Sequence, residues 1–167
     1  MIFGDVFSIV MAVVAIFLTG WATMIAMALL CPGAAERARK AALEPKKALV
    51  RGLMLLLTVG LLGVVFIAIP NPLTKFVGWV LVLGLLAISG VGTAGISLNA
   101  SRRLQDMDET MPAYGAFVRS SAYIAGATIL PLVGWFFIAP LLLIASIGAG
   151  WKAVMHAPGR VGAQEAA

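Results

Sequence analysis

The sequence predicts an all-α, polytopic helical membrane bundle, and three observations predict it. The chain of 167 residues is 62% hydrophobic and only 11% charged, with a mean hydropathy of +1.04, and a soluble domain of this size could not bury so much apolar surface. The apolar runs are continuous rather than alternating, which excludes a β-barrel. Two of them, residues 52–69 and 76–98, contain no ionisable residue and match the length of about 20 residues that crosses a bilayer.

We predict one transmembrane domain, residues 1–156, with five membrane segments. Pro70–Asn71–Pro72 is too short for anything but a tight turn, so the second and third segments form an antiparallel hairpin. A single helix over 112–155 would be about 66 Å long, so we divide this region at 131–135, where proline, glycine and tryptophan indicate a surface turn. The alternative is four segments, the last one long and kinked. The five segments are about 6–30, 49–69, 76–98, 112–130 and 135–155, and residues 157–167 are expected to be a mobile tail.

Basic residues predict the orientation of the bundle. Loop 31–51 holds six of the twelve Lys and Arg residues, so the positive-inside rule places it, with loop 99–111, in the cytoplasm and the N-terminus on the outer side of the membrane. These six residues also suggest docking of anionic lipid headgroups or of an acidic partner, and orientation alone is the alternative explanation. The six are Arg37, Arg39, Lys40, Lys46, Lys47 and Arg51.

The N-terminal segment is expected to remain as a membrane helix. No Lys or Arg precedes its apolar run, as a cleaved signal peptide would require. Cys31 is the only cysteine, so it forms no internal disulfide. It follows two leucines rather than the small residue of a lipoprotein cleavage site, so we expect a buried or interfacial thiol.

The third segment contains the stretch with the smallest side chains, residues 89–97. Gly90 to Gly95 has the spacing G-x-G-x-x-G, but a dinucleotide site needs a preceding strand and a turn open to solvent. Small residues at four-residue spacing instead let membrane helices approach closely. We predict that this helix is central or forms an oligomer, with a helix-packing or oligomer interface at Ser89, Gly90, Gly92, Thr93, Ala94 and Gly95.

Few residues in the sequence suggest chemistry. Arg119 lies inside the fourth segment, where a charge marks a functional site unless its long side chain extends to the interface. Asp106, Asp108 and Glu109 have no nearby histidine or calcium-loop spacing, so a solvated acidic turn is the better interpretation. His156 is the only histidine. We expect no enzyme, no metal, no cofactor and no nucleic-acid partner.

Three groups of residues form a familiar combination. They are Pro32 and Glu36 to Lys40 with 43–45 and 52–53, Ser101–Arg102–Arg103–Leu104, and residues 131–135 leading to Ile147–Gly148–Ala149–Gly150. Together they resemble the membrane module of poorly characterised bacterial proteins that often carry a bactofilin-like, polymer-forming domain. The resemblance implies a module that anchors or assembles, without catalytic residues. The β-solenoid part of those proteins is absent from this sequence, so the resemblance does not imply polymer formation here.

The function predicted from these features is that of a non-catalytic inner-membrane scaffold, anchor or accessory subunit. Its partners would be the lipid bilayer and either further copies of the chain in a homo-oligomer or other membrane protein subunits. The alternative is a small oligomeric channel or transporter for a neutral or small solute. Its pore would be lined by the hydroxyl groups of Thr19, Thr58, Ser89, Thr93 and Thr128.

Overall fold

A computed structural model describes residues 2–130 and 132–155, with side chains from residue 7 onward except residue 9. This part of the chain contains six helices and no strand, so the predicted all-α fold class is confirmed. The predicted tail, 157–167, lies outside the described residues. The helices are α1 (Ile2–Leu30), α2 (Pro32–Ala42), α3 (Pro45–Ala68), α4 (Pro72–Met107), α5 (Ala113–Ile129) and α6 (Gly134–Met155).

Prolines begin several of these helices. Pro32, Pro45 and Pro72 each occupy the first turn of a helix, where the missing N–H and the fixed φ angle of proline cause no loss. At the start of α4 the Asn71 side chain also accepts a hydrogen bond from the Leu73 amide, at 3.0 Å. The same residues that interrupt the apolar runs in the sequence therefore start the next helix.

The central helix of the fold is α4. It is 36 residues long, about 54 Å, and it contacts each of the other five helices. Its first half forms the predicted hairpin with α3, where Gly78 faces Gly63 so closely that a Cβ on Gly78 would lie 2.7 Å from the Gly63 carbonyl oxygen. Apart from Gly78, its buried residues lie between Leu85 and Ser101, and α1, α2, α5 and α6 surround this second half.

Four helices of the described chain are long and apolar enough to cross a membrane, which is the helix set of a multi-pass membrane protein. They lie at Val10–Leu30, Pro45–Ala68, Pro72–Met107 and Gly134–Met155. With 17 residues, α5 is only about 26 Å long, which is shorter than the hydrocarbon core of about 30 Å. The last apolar region thus forms two helices, as predicted, the first ending at Ile129 and the second beginning at Gly134.

The two charged connections between the predicted membrane segments, 31–51 and 99–111, are largely helical. Region 31–51 forms α2 and the first two turns of α3, and residues 99–107 continue α4 without interruption. Both regions are rich in Ala, Leu, Lys and Arg, which favour helices. Helices therefore continue through charged regions that connect the predicted membrane segments.

Small side chains fill the interior. The largest fully buried side chain is Ile147, and the other fully buried side chains of appreciable size are serines. Every buried side-chain nitrogen or oxygen among the described residues has a hydrogen-bond partner. The helices consequently pack by close approach of their backbones, as membrane helices do when their interfaces consist of Gly, Ala and Ser.

Candidate functional site at the charged end of the bundle

The second half of α6 packs between α3 and α4, and it contacts α3 at Gly148 and α4 at Gly150. Gly148 faces Gly52 of α3, and a Cβ on Gly148 would overlap the Ala48 carbonyl oxygen. A Cβ on Gly52 would overlap the Ile144 carbonyl oxygen in the same way. Each glycine therefore lies directly over the backbone of the other helix, and no larger residue fits at either position.

The contact between α6 and α4 repeats this arrangement. A Cβ on Gly150 would overlap the Ile88 carbonyl oxygen, and a Cβ on Gly92 would overlap the Ser146 carbonyl oxygen. Beside this crossing the hydroxyl groups of Ser89 and Ser146 are hydrogen-bonded at 2.7 Å. The pair of serines satisfies its polar atoms inside the bundle, so it links two helices without leaving a polar group exposed to hydrocarbon.

The predicted small-residue interface of α4 lies between helices of the same chain. Gly90 faces Met27 of α1, while Gly95 faces Ala38 of α2. Ala94 is fully buried, and the half-buried Thr93 donates its hydroxyl hydrogen bond to the Gly90 carbonyl oxygen. Together with Ser89 and Gly92, these residues pack the protomer itself. They offer little surface to a second copy.

Sequence reasoning missed the docking of α2 onto this surface. Ala35, Ala38 and Ala41 form one buried face of α2, and this face packs on α4 and α6. Arg37 donates a hydrogen bond from Nε to the Ala153 carbonyl oxygen at 2.9 Å, where it satisfies a carbonyl in the last turn of α6. The alanine spacing of three residues is the signal in the sequence that predicts a buried face.

A charge cluster joins α2 to the end of α4. Glu36 accepts hydrogen bonds from the guanidinium of Arg39, with the closest pair of atoms 2.6 Å apart, and its carboxylate also lies 3.2 Å from Arg102. The hydrogen bond from Arg39, with the charges of Arg39, Arg102 and Lys40, lowers the pKa of Glu36 below its ordinary value of 4.5. Because Arg102 belongs to α4, this cluster holds the predicted loops 31–51 and 99–111 together.

The lowered pKa of Glu36 predicts a pH dependence. A carboxyl group whose pKa is lower in the folded state stabilises the fold above its unfolded pKa, and the stabilisation is lost as the pH falls through the folded pKa. We expect Glu36→Gln to lower the unfolding temperature at pH 7 by about 2–4 °C, and the difference from the native protein to shrink below pH 4.5. Thermal unfolding in detergent at both pH values measures this; a difference that is independent of pH would contradict the role of Glu36.

The six predicted docking cations divide into two groups. Arg37 and Arg39 are engaged inside the bundle, as described above, and the Arg39 side chain is only 12% exposed. Lys40, Lys46 and Lys47 are exposed and Arg51 is half-buried, although Lys47 forms an ion pair with Glu44 at 3.3 Å. A partner or a lipid headgroup would therefore meet mainly the second group.

Arg119 lies on α5 with its side chain exposed. Its charge is one reason why the pKa of Asp108 is lowered, after the hydrogen bonds that the Thr110 hydroxyl and amide donate to that carboxylate. Arg119 therefore lies within electrostatic reach of the polar connection between α4 and α5. This position agrees with a side chain that extends toward the membrane surface.

The hydroxyl groups considered for a pore are used within the chain. Thr19, Thr58 and Thr128 donate to carbonyl oxygens of their own helices, as Thr93 does, and Ser89 is paired with Ser146. Among residues 7–130 and 132–155, no three His, Cys, Asp or Glu side chains lie close enough together to hold a metal ion. The arrangement suits the packing of helices rather than the binding of a polar solute.

One apolar groove lies at the charged end of the bundle. It has a volume of about 410 Å³ and lies between the end of α2, the start of α3, α4 and α6. Its wall is almost wholly apolar, with the Asn99 amide as its polar side chain. Lining residues include Ala42, Pro45, Leu49, Ile96, Asn99 and Leu142.

Comparison with protein families, with curated proteins and with solved structures found no match to this chain. The resemblance to the membrane module of bactofilin-associated proteins therefore stays a prediction from the sequence.

Proposed function

We propose that this protein is a non-catalytic integral scaffold, anchor or accessory subunit in a bacterial inner membrane. The observation that carries the proposal is the contrast between its interior and its surface. Inside, glycines and hydroxyl groups are used for internal contacts. Outside, α1 and the α3–α4 hairpin expose large apolar side chains over most of their length. Such a surface is covered by lipid or by helices of partner subunits.

The first helix is the main candidate for contact with a partner. Within its apolar stretch, Val10–Leu30, Met24 is the one residue that is buried in the bundle. Its contacts with the bundle include those of Trp21, Met24 and Met27, the first through a hydrogen bond from Nε1 to the Ser121 hydroxyl at 3.0 Å. Ala22 and Ala26 are exposed one helical turn apart, a spacing that lets another membrane helix approach closely.

The proposed orientation has the N-terminus outside and the α2 end of the bundle in the cytoplasm. The positive-inside rule is the argument from sequence. The ion pair between Glu36 and Arg102 supports it, because the pair brings the two regions that the sequence assigns to the cytoplasm, 31–51 and 99–111, to one end of the bundle. Regions that lie at the same end of the bundle must lie at the same face of the membrane.

The test is the mass of the protein extracted from its native membrane in mild detergent. We expect size-exclusion chromatography with light scattering to give a complex heavier than one protomer of 17.4 kDa, and mass spectrometry to identify its other subunits or further copies. Ala22→Trp with Ala26→Trp should reduce the complex to a folded protomer, since bulky side chains prevent close helix contact.

Val10→Trp is the matched control, because Val10 is also exposed but lies on the opposite face of α1 from Ala22 and Ala26. It should leave the complex intact. A lone protomer from native membranes would overturn the proposal, and solute flux through the purified protein in liposomes would favour a channel instead.

A further inference from the structure

We propose that the groove at the charged end of the bundle binds one anionic phospholipid, with an acyl chain in the groove and the headgroup at Lys46 and Arg103. This inference rests on the membrane location proposed above, and it adds a specific ligand site. The volume of the groove, about 410 Å³, falls within the range of small-molecule sites, about 300–1,000 Å³. The apolar wall between helices suits an acyl chain better than any polar ligand.

Two cations on different helices lie within about one helical turn of residues that line the groove. Lys46 lies next to Pro45 in the first turn of α3 and one turn before Leu49, both of which line the groove. Arg103 lies four residues after Asn99 on α4, so the two occupy the same helix face. Basic pockets between membrane helices on the cytoplasmic side bind anionic headgroups.

The neighbouring charges leave these two cations available. Lys47 is paired with Glu44, and Arg102 lies beside Glu36. Within the described part of the chain, neither Lys46 nor Arg103 forms an ion pair with a carboxylate. The Asn99 amide also makes no side-chain hydrogen bond there, and it can donate to an ester or phosphate oxygen.

A lipid fits this combination better than a second copy of the chain does. A second protomer would bring its own net charge of +5 toward Lys46 and Arg103, and like charges repel. An anionic phospholipid carries both the apolar chain and the negative charge that the groove and its edge require. The geometry therefore assigns the groove to a lipid.

Native mass spectrometry of the full chain, titrated with dioleoyl phosphatidylglycerol or dioleoyl phosphatidylcholine, tests the assignment. The acyl chains are identical, so any preference reports the headgroup. We expect one phosphatidylglycerol to bind about 30-fold more tightly than phosphatidylcholine, since each nearby Lys or Arg raises the affinity for an anionic headgroup about fivefold. Lys46→Gln should reduce the preference about fivefold, and Lys46→Gln with Arg103→Gln should abolish it.

A matched charge control is available on the same chain. Lys75→Gln removes an exposed charge at the far end of the hairpin, and the headgroup preference should not change. An equal preference of the native protein for both lipids, or an unchanged preference in the double variant, would overturn the headgroup assignment. Displacement of the lipid by free glycerol phosphate would show a phosphate site rather than a lipid site.

A second substitution tests the position of the acyl chain. Ala145 lines the groove, so Ala145→Phe should fill it and remove tight binding of both lipids while circular dichroism shows an intact helical fold. Ala87→Phe, at an exposed alanine of α4, should leave binding unchanged. Retention of the lipid by Ala145→Phe would exclude the groove. A protein that is soluble without detergent would instead refute the membrane location itself.

Discussion

Gly148→Ala is expected to lower the unfolding temperature of the protein by about 10 °C. The added Cβ would overlap the Ala48 carbonyl oxygen, and a backbone atom cannot rotate away as a side chain does. The helices α3 and α6 must then separate, and forcing extra volume into a packed interface costs about 3 kcal/mol. For a chain of this size each kcal/mol corresponds to about 2–4 °C. Thermal unfolding in mild detergent, followed by circular dichroism, measures the change.

Gly126→Ala provides the control for this prediction. A Cβ at Gly126, on α5, would have no heavy atom within 4 Å, and alanine favours a helix over glycine by up to about 1 kcal/mol. Its unfolding temperature should be unchanged or slightly higher. If both variants lost the same stability, the loss would be a general effect of replacing glycine and would not support the Gly52–Gly148 contact.

Hydrophobic pattern predicted the membrane class and the arrangement of the main helices. The hairpin around Pro70–Asn71–Pro72, the division of the last apolar region and the central position of the third membrane segment all agree with the structure. These features depend on local signals, namely proline breaks, run length and the density of small residues. Local signals are readable in one sequence without knowledge of which helix meets which.

The partners of the small residues could not be predicted in this way. The sequence marks Gly92 and Gly95 as an interface, but it does not state whether the facing helix belongs to the same chain. The structure places Ser146 and Ala38 of the same chain there. A substitution such as Gly92→Leu is therefore expected to disrupt the protomer before any assembly, which makes the exposed alanines of α1 the better sites for testing association.

The inward docking of α2 was missed for a related reason. Its charged residues suggest a solvated surface, while the buried face consists of Ala35, Ala38 and Ala41. Alanine contributes little to a hydrophobic pattern, and its burial depends on a glycine, Gly95, that is far away in the sequence. Pairings between small residues distant in the chain set the position of α2, and no local rule contains that information.

Gly95→Ala is expected to release α2 and to accelerate its cleavage by trypsin about 30-fold. The added Cβ would lie 2.6 Å from both the Ala38 Cβ and the Arg39 backbone nitrogen, so α2 must move away from α4. A loss of about 2 kcal/mol in docking energy raises the undocked population about 30-fold, and cleavage follows that population when opening is fast. The sites are after Arg37, Arg39 and Lys40, and the fragments are identified by mass spectrometry.

Gly33→Ala separates this effect from a change in helix propensity. A Cβ at Gly33 would make an ordinary contact, 3.6 Å from Nη1 of Arg37, so α2 should stay docked and be cleaved at the native rate. Inverted membrane vesicles should show the cleavage, whereas intact spheroplasts should not, because α2 is proposed to face the cytoplasm. Cleavage in spheroplasts would reverse the proposed orientation, and equal rates for Gly95→Ala and Gly33→Ala would remove Gly95 as the contact that holds α2 in place.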